Sequence, residues 1–326
     1  MTATAGLAEL EARVAAALER VEAGLGGAVT SADPFVGEAA SYLINAGGKR
    51  LRATLVLLGG HFGDAPDSPQ LVDAAVAVEL THLSTLYHDD VMDEAELRRG
   101  NPSANARYDN KVAILTGDYL FARASEVTAG LGSDAVVLLA RAVARLVQGQ
   151  IRDVRGPVDG EDPIAHYMGV LTDKTGALIA AACRLGGMLA GASDGALDAL
   201  TDYGERLGVA FQLGDDLLDI TREAATSGKQ PGADLREGVR TLPMLYLLDA
   251  GGPDAERLRR FFAGERDDAA VAEALALLRA SPALVEARRI AQREIDAAVA
   301  ALEPLPAVPA RHALVALARG AADREV

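Results

Sequence analysis

Residues 71–93 read LVDAAVAVELTHLSTLYHDDVMD, and this stretch decides both the fold class and the chemistry. Apolar side chains recur in it at helical spacing as far as Leu86. At its end Asp89, Asp90 and Asp93 stand at positions i, i+1 and i+4, and in a helix the first and the last share one face, about 5–6 Å apart. Two carboxylates there repel each other unless a cation lies between them. The stretch therefore predicts a largely buried helix that ends in a metal site, with a solvated acidic helix end as the alternative.

The rest of the chain repeats the helical spacing. Further runs cover residues 7–25, 112–127, 135–147, 177–189, 197–218 and 284–302, and a last short helix is expected at about residues 311–319. Aromatic residues make up only 4% of the chain, Trp is absent, and no convincing strand alternation is found, which favours helices over strands. No break between the runs is long enough for an interdomain linker. These patterns predict an all-α fold, a single large helical bundle that forms one domain over residues 1–326.

Charge and composition exclude several classes of function. The formal net charge of −15 disfavours nucleic acid and anionic membrane surfaces as partners, because both require a concentrated positive face. Cys183 is the single cysteine, so an internal disulfide is excluded and a buried inert thiol is expected. No secretory signal is visible, and no run reaches the roughly 18 apolar residues of a membrane span. We therefore expect a cytoplasmic protein without a membrane span.

A second acidic motif repeats the spacing of the first. Residues 214–219 read GDDLLD, and Asp215, Asp216 and Asp219 again end an apolar helix. Hard oxygen ligands suit Mg²⁺, which typically takes one or two protein carboxylates and completes its shell with water and substrate phosphates. Cations stand beside glycines and motif ends, in GGKRLR at 47–52, RRG at 98–100, Lys174-Thr175 and Lys229. Together these features predict a clamp in which magnesium ions bridge two aspartate motifs to a diphosphate.

From about residue 46 to residue 243 the chain resembles the trans-isoprenyl diphosphate synthases, or polyprenyl synthetase family, of the long-chain polyprenyl diphosphate type. The shared pattern is Gly-Gly-Lys-Arg-x-Arg, two Asp-Asp-x-x-Asp motifs, Arg-Arg-Gly and Lys-Thr, in order. His82 stands seven residues before Asp89 and Gln212 three before Asp215. Alone, His82 would more often be a hydrogen-bonded core residue and Gln212 a surface amide, but their registers match the family. The resemblance implies the isoprenoid synthase bundle with a central active-site cavity, Mg²⁺ as cofactor and a homodimer.

The resemblance also implies a role for each matching residue. The implied catalytic set is Asp89, Asp90, Asp93, Lys174, Asp215 and Asp216. Mg²⁺ would be bound by Asp89, Asp93, Asp215 and Asp219, with Asp90 and Asp216 in support. The allylic diphosphate substrate would contact Arg98, Lys174, Thr175, Gln212 and Lys229. The diphosphate of isopentenyl diphosphate would contact Gly48, Lys49, Arg52, His82 and Arg99. The chain departs from the family at Val239, followed by Arg240, where a Lys is frequent, and at Ala53, where Pro is common.

Three small residues bear on the length of the product. Thr81, Ser84 and Thr85 lie one and two turns before Asp89, on the helix face expected to line the tunnel for the growing chain. In the family, bulky aromatic residues there stop growth at short products. The expected reaction is therefore Mg²⁺-dependent head-to-tail condensation of isopentenyl diphosphate with an allylic diphosphate, giving an all-trans polyprenyl diphosphate longer than C20. No protein base is evident beside the motifs, so the released diphosphate would accept the proton.

Other functions remain open at this point. One is a short-chain farnesyl or geranylgeranyl diphosphate synthase, since Tyr87 and other helices also shape the tunnel. A regulatory subunit of a heteromeric prenyl synthase would keep the fold but lose aspartates, whereas both motifs are complete here. A terpene cyclase would usually carry an Asn/Ser/Glu motif second. A helical scaffold with acidic surface helices would show neither magnesium dependence nor diphosphate binding.

Overall fold

A computed structural model describes residues 3–222 and 231–322, and nearly all of its regular structure is helical. The first helices are α1 (Ala3–Ala28), α2 (Pro34–Asn45), α3 (Leu51–Gly60), α4 (Gln70–Met92), α5 (Ala104–Tyr108), α6 (Asn110–Ala129), α7 (Ser133–Arg155), α8 (Pro163–Leu171), α9 (Ala177–Leu189) and α10 (Asp194–Thr221). They are followed by α11 (Ala233–Glu237), α12 (Leu242–Ala250), α13 (Gly252–Ala263), α14 (Asp268–Ala280), α15 (Pro282–Ala301) and α16 (Pro309–Ala322). The all-α prediction is confirmed.

The described residues group into two compact units. The first contains residues up to Val143, Leu178–Thr201 and Pro304–Leu314; the second contains Ala144–Ala177, Asp202–Glu303 and the residues from Val315 onward. Four of the five boundaries fall within α7, α9, α10 and α16, and the fifth lies between α15 and α16. A single domain over residues 1–326 stays a prediction.

Helix α4 is the centre of the first unit and packs against α1, α3 and α6. Its sequence is apolar on nearly every side, which explains why most of its residues from Leu71 to Leu83 are buried. Close contacts between α3 and α9 depend on glycine, because a Cβ at Gly59 would lie 2.4 Å from the carbonyl oxygen of Cys183. Cys183 itself is fully buried, as expected, and burial raises the pKa of its thiol.

The second unit has its own apolar core. It is built from α8, the second half of α10 and helices α11 to α15, with Leu213, Leu217, Leu235, Leu258 and Leu278 among its buried residues. This core surrounds the helix that carries the second aspartate motif, so the backbone of that motif is held by apolar packing.

The structure also contains one short hairpin among the described residues that the sequence analysis did not predict. Strands β1 (Leu97–Arg98) and β2 (Asn101–Pro102) pair antiparallel, with Leu97 opposite Pro102. The turn consists of Arg99 and Gly100, both with positive φ, as two-residue hairpin turns require. Strands of two residues are too short to show alternation. The hairpin matters for function because it presents two of the predicted phosphate-binding arginines.

In the described part of the chain, none of the helices combines the length and the apolar character that a membrane crossing requires.

Candidate active site

The first aspartate motif ends helix α4, and its three carboxylates have different environments. Asp90 is fully buried: its Oδ1 accepts a hydrogen bond from Nε of Arg98 at 2.6 Å and its Oδ2 one from the N–H of Ala104 at 3.4 Å. Asp89 is partly buried, and Asp93 is exposed and caps the helix. Arg98 and Ala104 therefore hold Asp90 in the fold, which suits a supporting role. That role stays a prediction.

The second motif lies on α10 and shows a similar division. Asp216 is buried; its Oδ2 accepts a hydrogen bond from the hydroxyl of Tyr167, and its Oδ1 accepts one from Nε2 of Gln212 at 2.9 Å. Asp215 is exposed. Tyr167 was not among the predicted site residues, because no local pattern links residue 167 to residue 216.

Asp219 is engaged with the backbone at the start of α11. Its Oδ1 accepts the N–H groups of Gly232 at 3.1 Å and Ala233 at 3.0 Å, and its Oδ2 accepts that of Asp234 at 3.0 Å. A carboxylate has about four acceptor positions, so these bonds use most of its capacity. The structure thus favours a role in which Asp219 orders residues 232–234. Its predicted role as a metal ligand stays untested.

A fourth carboxylate joins the second motif. The pKa of Asp234 is raised to about 8, first by burial and then by repulsion from Asp216, Asp219, Glu237 and Asp215. The pKa of Asp216 is raised to about 6, because burial and the repulsion from Asp215 and Asp219 outweigh the hydrogen bonds from Tyr167 and Gln212, which lower it. Crowded carboxylates of this kind are stabilised by a cation. The sequence analysis did not single out Asp234, which falls outside the repeated spacing.

These donors fit a magnesium ion that completes its shell with phosphate oxygens. All are hard oxygen ligands, which Mg²⁺ prefers. Across residues 3–222 and 231–322, no group of three or more His, Cys, Asp or Glu side chains is placed to hold a metal ion by itself. Mg²⁺ usually takes only one or two protein carboxylates together with substrate phosphates.

Lys174 and Thr175 lie in a π-helical turn, Thr172–Gly176, between α8 and α9. Such turns are rare and occur frequently at functional sites. Nζ of Lys174 donates a hydrogen bond to Asp153 at 2.9 Å, and Oγ1 of Thr175 donates one to Oε1 of Gln212 at 3.4 Å. Because Gln212 also binds Asp216, Thr175 and Gln212 form one hydrogen-bonded chain with the second motif.

The predicted site for isopentenyl diphosphate begins at a turn with unusual backbone angles. Gly47 and Gly48 have positive φ of 79° and 151°, and Arg50 has φ of 47°. A Cβ at Gly48 would lie 3.0 Å from the guanidinium nitrogens of Arg99, whose Nη1 donates to the carbonyl of Leu43 at 3.1 Å. The structure thus brings Gly48 and Arg99 together, 51 positions apart in the sequence. Lys49, on the same turn, is exposed.

Arg52 and His82 stand in a concentration of positive charge. Burial lowers the pKa of Arg52, and Arg99 lowers it further against the opposing charge of Glu79. Nε of Arg52 finds no hydrogen-bond partner within the part of the chain that the structure describes. Burial also lowers the pKa of His82 well below its usual value; the arginines that add to this effect are Arg52, Arg99, Arg98 and Arg50. An anion bound here would relieve this repulsion and satisfy Arg52.

The three small residues before the first motif have their hydroxyl groups satisfied within α4. Oγ1 of Thr81 donates to the carbonyl of Ala77 at 2.8 Å, Oγ of Ser84 to that of Thr81 at 3.1 Å, and Oγ1 of Thr85 to that of His82 at 2.8 Å. These side chains therefore offer no unsatisfied donor to a hydrocarbon chain. Thr81 and Ser84 are buried and Thr85 is partly buried.

Tyr87 does not belong to this group. It is fully buried, and its hydroxyl donates to the carbonyl of Ala39 and accepts the N–H of Leu43 at 3.3 Å. These bonds tie α4 to α2. Burial accordingly raises the pKa of Tyr87.

Two further expectations concern the segment before α12. Lys229 lies outside the described residues. Val239 is exposed, and its N–H donates to the carbonyl of Asp234 at 2.8 Å. Arg240, which follows it, places its guanidinium 4.9 Å from the centre of the Phe262 ring. The side chain at the family's frequent Lys position is therefore apolar, and the neighbouring arginine is engaged with an aromatic ring.

Comparisons with known proteins give consistent matches. The model of the polyprenyl synthetase family matches residues 33–278. The nonaprenyl diphosphate synthase of Mycobacterium tuberculosis is 48% identical over 313 residues, which cover 96% of this chain and 93% of that protein. The crystal structure of geranylgeranyl pyrophosphate synthase from Corynebacterium glutamicum, complexed with calcium and isoprenyl diphosphate, superposes with a TM-score of 0.87 at 45% identity and covers 97% of both chains. Polyprenyl synthase from Caulobacter crescentus, in a complex of the same kind, has a TM-score of 0.90 at 35% identity and 98% coverage of both chains.

Proposed function

Because this chain belongs to the polyprenyl synthetase family, we propose that it joins isopentenyl diphosphate head-to-tail to an allylic diphosphate, with Mg²⁺, to give an all-trans product longer than C20. The enzyme is a prenyltransferase of the long-chain polyprenyl diphosphate type, in line with its 48% identity to nonaprenyl diphosphate synthase. A short-chain product is the less favoured alternative. The calcium in the complexes of two related enzymes supports the use of a divalent metal, and the choice of Mg²⁺ rests on the oxygen donors of the site.

One observation carries the assignment of the metal site. The second aspartate of each motif, Asp90 and Asp216, is buried in hydrogen bonds to its own fold, while Asp93 and Asp215 are exposed. A buried carboxylate that is held by its own fold orients its neighbours, whereas an exposed carboxylate lies where a metal ion can approach it. We therefore assign Asp89, Asp93 and Asp215 as ligands of Mg²⁺, and Asp219 as the residue that orders the start of α11.

The residues divide the reaction into two tasks. Lys174, Thr175 and Gln212 hold and orient the allylic diphosphate, while Arg52 and Arg99, with neutral His82, bind the diphosphate of isopentenyl diphosphate. Mg²⁺, when bound, supplies positive charge that stabilises the departing diphosphate.

The bond changes then balance without a protein base. The allylic carbon–oxygen bond breaks and its electron pair leaves with the diphosphate. The isopentenyl double bond attacks the resulting allylic cation and forms the new carbon–carbon bond. The proton that is lost passes to the released diphosphate, which leaves a longer allylic product.

A homodimer is part of this proposal. Helix α6 exposes three large apolar side chains, Ile114, Leu115 and Phe121, which are 42%, 66% and 41% exposed. Exposed apolar groups on one helix are typical of a protein interface. We expect a dimer by light scattering coupled to size-exclusion chromatography, and a monomer for Leu115→Glu. The cytoplasmic location stays a prediction.

The function is tested by product analysis. Purified enzyme is incubated with labelled isopentenyl diphosphate and, separately, C10, C15 and C20 allylic primers, with and without Mg²⁺, and the products are separated by length. We expect metal-dependent products beyond C20, lost in Asp89→Asn and retained in Asp73→Asn, an exposed carboxylate in the first turn of the same helix. Arrest at C15 or C20 would contradict the long-chain assignment, and a folded protein that forms no product would favour a regulatory subunit.

A further inference from the structure

The π-helical turn that carries Lys174 and Thr175 is held by one face of α7. Arg145, Gly149, Arg152 and Asp153 stand at i, i+4, i+7 and i+8 and therefore share that face. A Cβ at Gly149 would lie 2.6 Å from the backbone nitrogen of Lys174. The two backbones are thus in direct contact, and Gly149 permits that contact.

Asp173, the residue before Lys174, is bound by two arginines of this face. Its Oδ1 accepts Nε of Arg145 at 3.1 Å and Nη2 at 3.0 Å, and its Oδ2 accepts Nη2 of Arg152. The same nitrogen of Arg152 donates to the carbonyl of Gly169 at 3.2 Å. Asp173 is partly buried, with 23% of its side chain exposed, so these charge-assisted bonds are only partly screened by solvent.

Arg145 reaches a second element, helix α10. Its Nη1 donates to Oε1 of Glu205, which lies seven residues before Gln212 on the same helix. Helix α10 also touches the turn directly, because a Cβ at Gly208 would lie 2.6 Å from the Cα of Gly176. One guanidinium therefore joins the turn that carries Lys174 to the helix that carries the second aspartate motif.

We infer that Arg145 is a positioning residue for the allylic diphosphate: by binding Asp173 and Glu205 together, it fixes Lys174 and Thr175 on their π-helical turn relative to Gln212 on α10. A π-helical turn is rare and persists where its surroundings hold it. Without the guanidinium, the side chains of Lys174 and Gln212 are still present, but they are no longer held at fixed positions relative to each other. The inference rests on the proposed function, in which both residues contact the allylic diphosphate.

Equilibrium binding measurements test this role of Arg145 without catalytic turnover. Titration calorimetry in Mg²⁺ measures binding of farnesyl diphosphate and of isopentenyl diphosphate to the wild type and to Arg145→Met. We expect the dissociation constant for farnesyl diphosphate to rise about tenfold and that for isopentenyl diphosphate to change less than about twofold. Arg145→Lys restores only part of the affinity, since an ammonium group does not present the planar fork that bridges two carboxylates.

The matched control is Arg206→Met. Arg206 lies next to Glu205 on α10, has similar exposure and also pairs with two carboxylates, those of Asp202 at 3.5 Å and Glu294 at 3.1 Å. We expect Arg206→Met to lower the unfolding temperature as much as Arg145→Met while leaving both dissociation constants unchanged. Glu205→Gln, which removes one side of the bridge, provides a second variant if Arg145→Met fails to fold.

Two outcomes would overturn the inference: equal weakening of both substrates in Arg145→Met, or the same weakening in Arg206→Met. A KM for the allylic primer that rises while kcat at saturation holds would support positioning. Product formation by the wild type tests the proposed function. The binding measurements can therefore contradict the role of Arg145 while product formation still supports the proposed function.

Discussion

The stability of this protein should depend on pH through His82, and the surroundings of His82 determine the direction of that dependence. Burial and nearby arginines lower the pKa of His82 well below its usual value, so the ring is neutral in the folded protein at physiological pH. In the unfolded chain the same ring titrates near about 6.5. As the pH falls below that value, the unfolded chain gains a proton that the folded protein does not take up. The free energy of unfolding therefore decreases on acidification.

The size of the effect follows from this difference. Between about pH 7.5 and about pH 5.5, the His82 contribution to the free energy of unfolding falls by at most about 1.4 kcal/mol, the value for a folded ring that stays neutral while the unfolded ring becomes about nine-tenths protonated. Replacing the ring by an uncharged amide in His82→Gln removes this contribution. We expect urea titrations at the two pH values to show a smaller loss for the variant than for the wild type, by up to about 1.4 kcal/mol. The other four histidines are the same in both proteins, so any contribution they make cancels in the comparison.

Isopentenyl diphosphate supplies the companion test. Its diphosphate would neutralise Arg52 and Arg99, and this would raise the pKa of His82 towards its ordinary value. The free energy of unfolding of the wild type should then depend less on pH. Equal acid losses in wild type and variant would refute the reasoning, since His82 would then titrate as an isolated ring. If the ligand left the pH dependence of the free energy of unfolding unchanged, the diphosphate would bind away from His82.

Three further predictions concern single positions. Gly48→Ala places a Cβ 3.0 Å from the guanidinium of Arg99 at a φ of 151°, so the KM for isopentenyl diphosphate should rise about tenfold in steady-state kinetics while the KM for the allylic primer is unchanged. The control is Gly26→Ala, where a Cβ would meet nothing within 4 Å, and equal effects of the two changes would contradict the contact. Ser84→Phe should shorten the products to C20 or less by chromatography, and unchanged lengths would mean that the tunnel does not pass this residue. Tyr167→Phe removes a hydrogen-bond donor to buried Asp216. This change should lower the free energy of unfolding, measured in urea, by about 1–3 kcal/mol and raise the Mg²⁺ concentration needed for half-maximal activity. An unchanged free energy of unfolding would refute that hydrogen bond.

The long helices could be predicted from the sequence, and the short elements could not. Helix α4 repeats apolar residues over 23 positions, and a signal of that length outweighs local exceptions. Helix α11 has five residues, too few to show a period, and its position depends on Asp219, which binds it from a separate helix. The final helix was expected from about residue 311, but Pro309 already belongs to it, because proline is well tolerated in the first turn of a helix.

The candidate site shows the same limit. Motif spacing selects Asp89, Asp215 and the arginines at 98 and 99 as candidates, since each lies in a short local pattern. It did not select Tyr167 or Asp234, which reach the second motif only through tertiary packing. Residues of this kind carry no local signal, so only coordinates reveal them.

Helix geometry explains why both motifs divide their aspartates in the same way. Successive residues in an α-helix are about 100° apart, so the aspartates at i and i+4 share a face while the one at i+1 turns towards a neighbouring element. In the first motif that neighbour supplies Arg98, and in the second it supplies Tyr167. The departure in the second motif, where Asp219 binds backbone N–H groups, coincides with the added carboxylate of Asp234. The spacing Asp-Asp-x-x-Asp thus sets the aspartate at i+1 against a neighbouring element that binds it, in agreement with the proposed division into supporting residues and metal ligands.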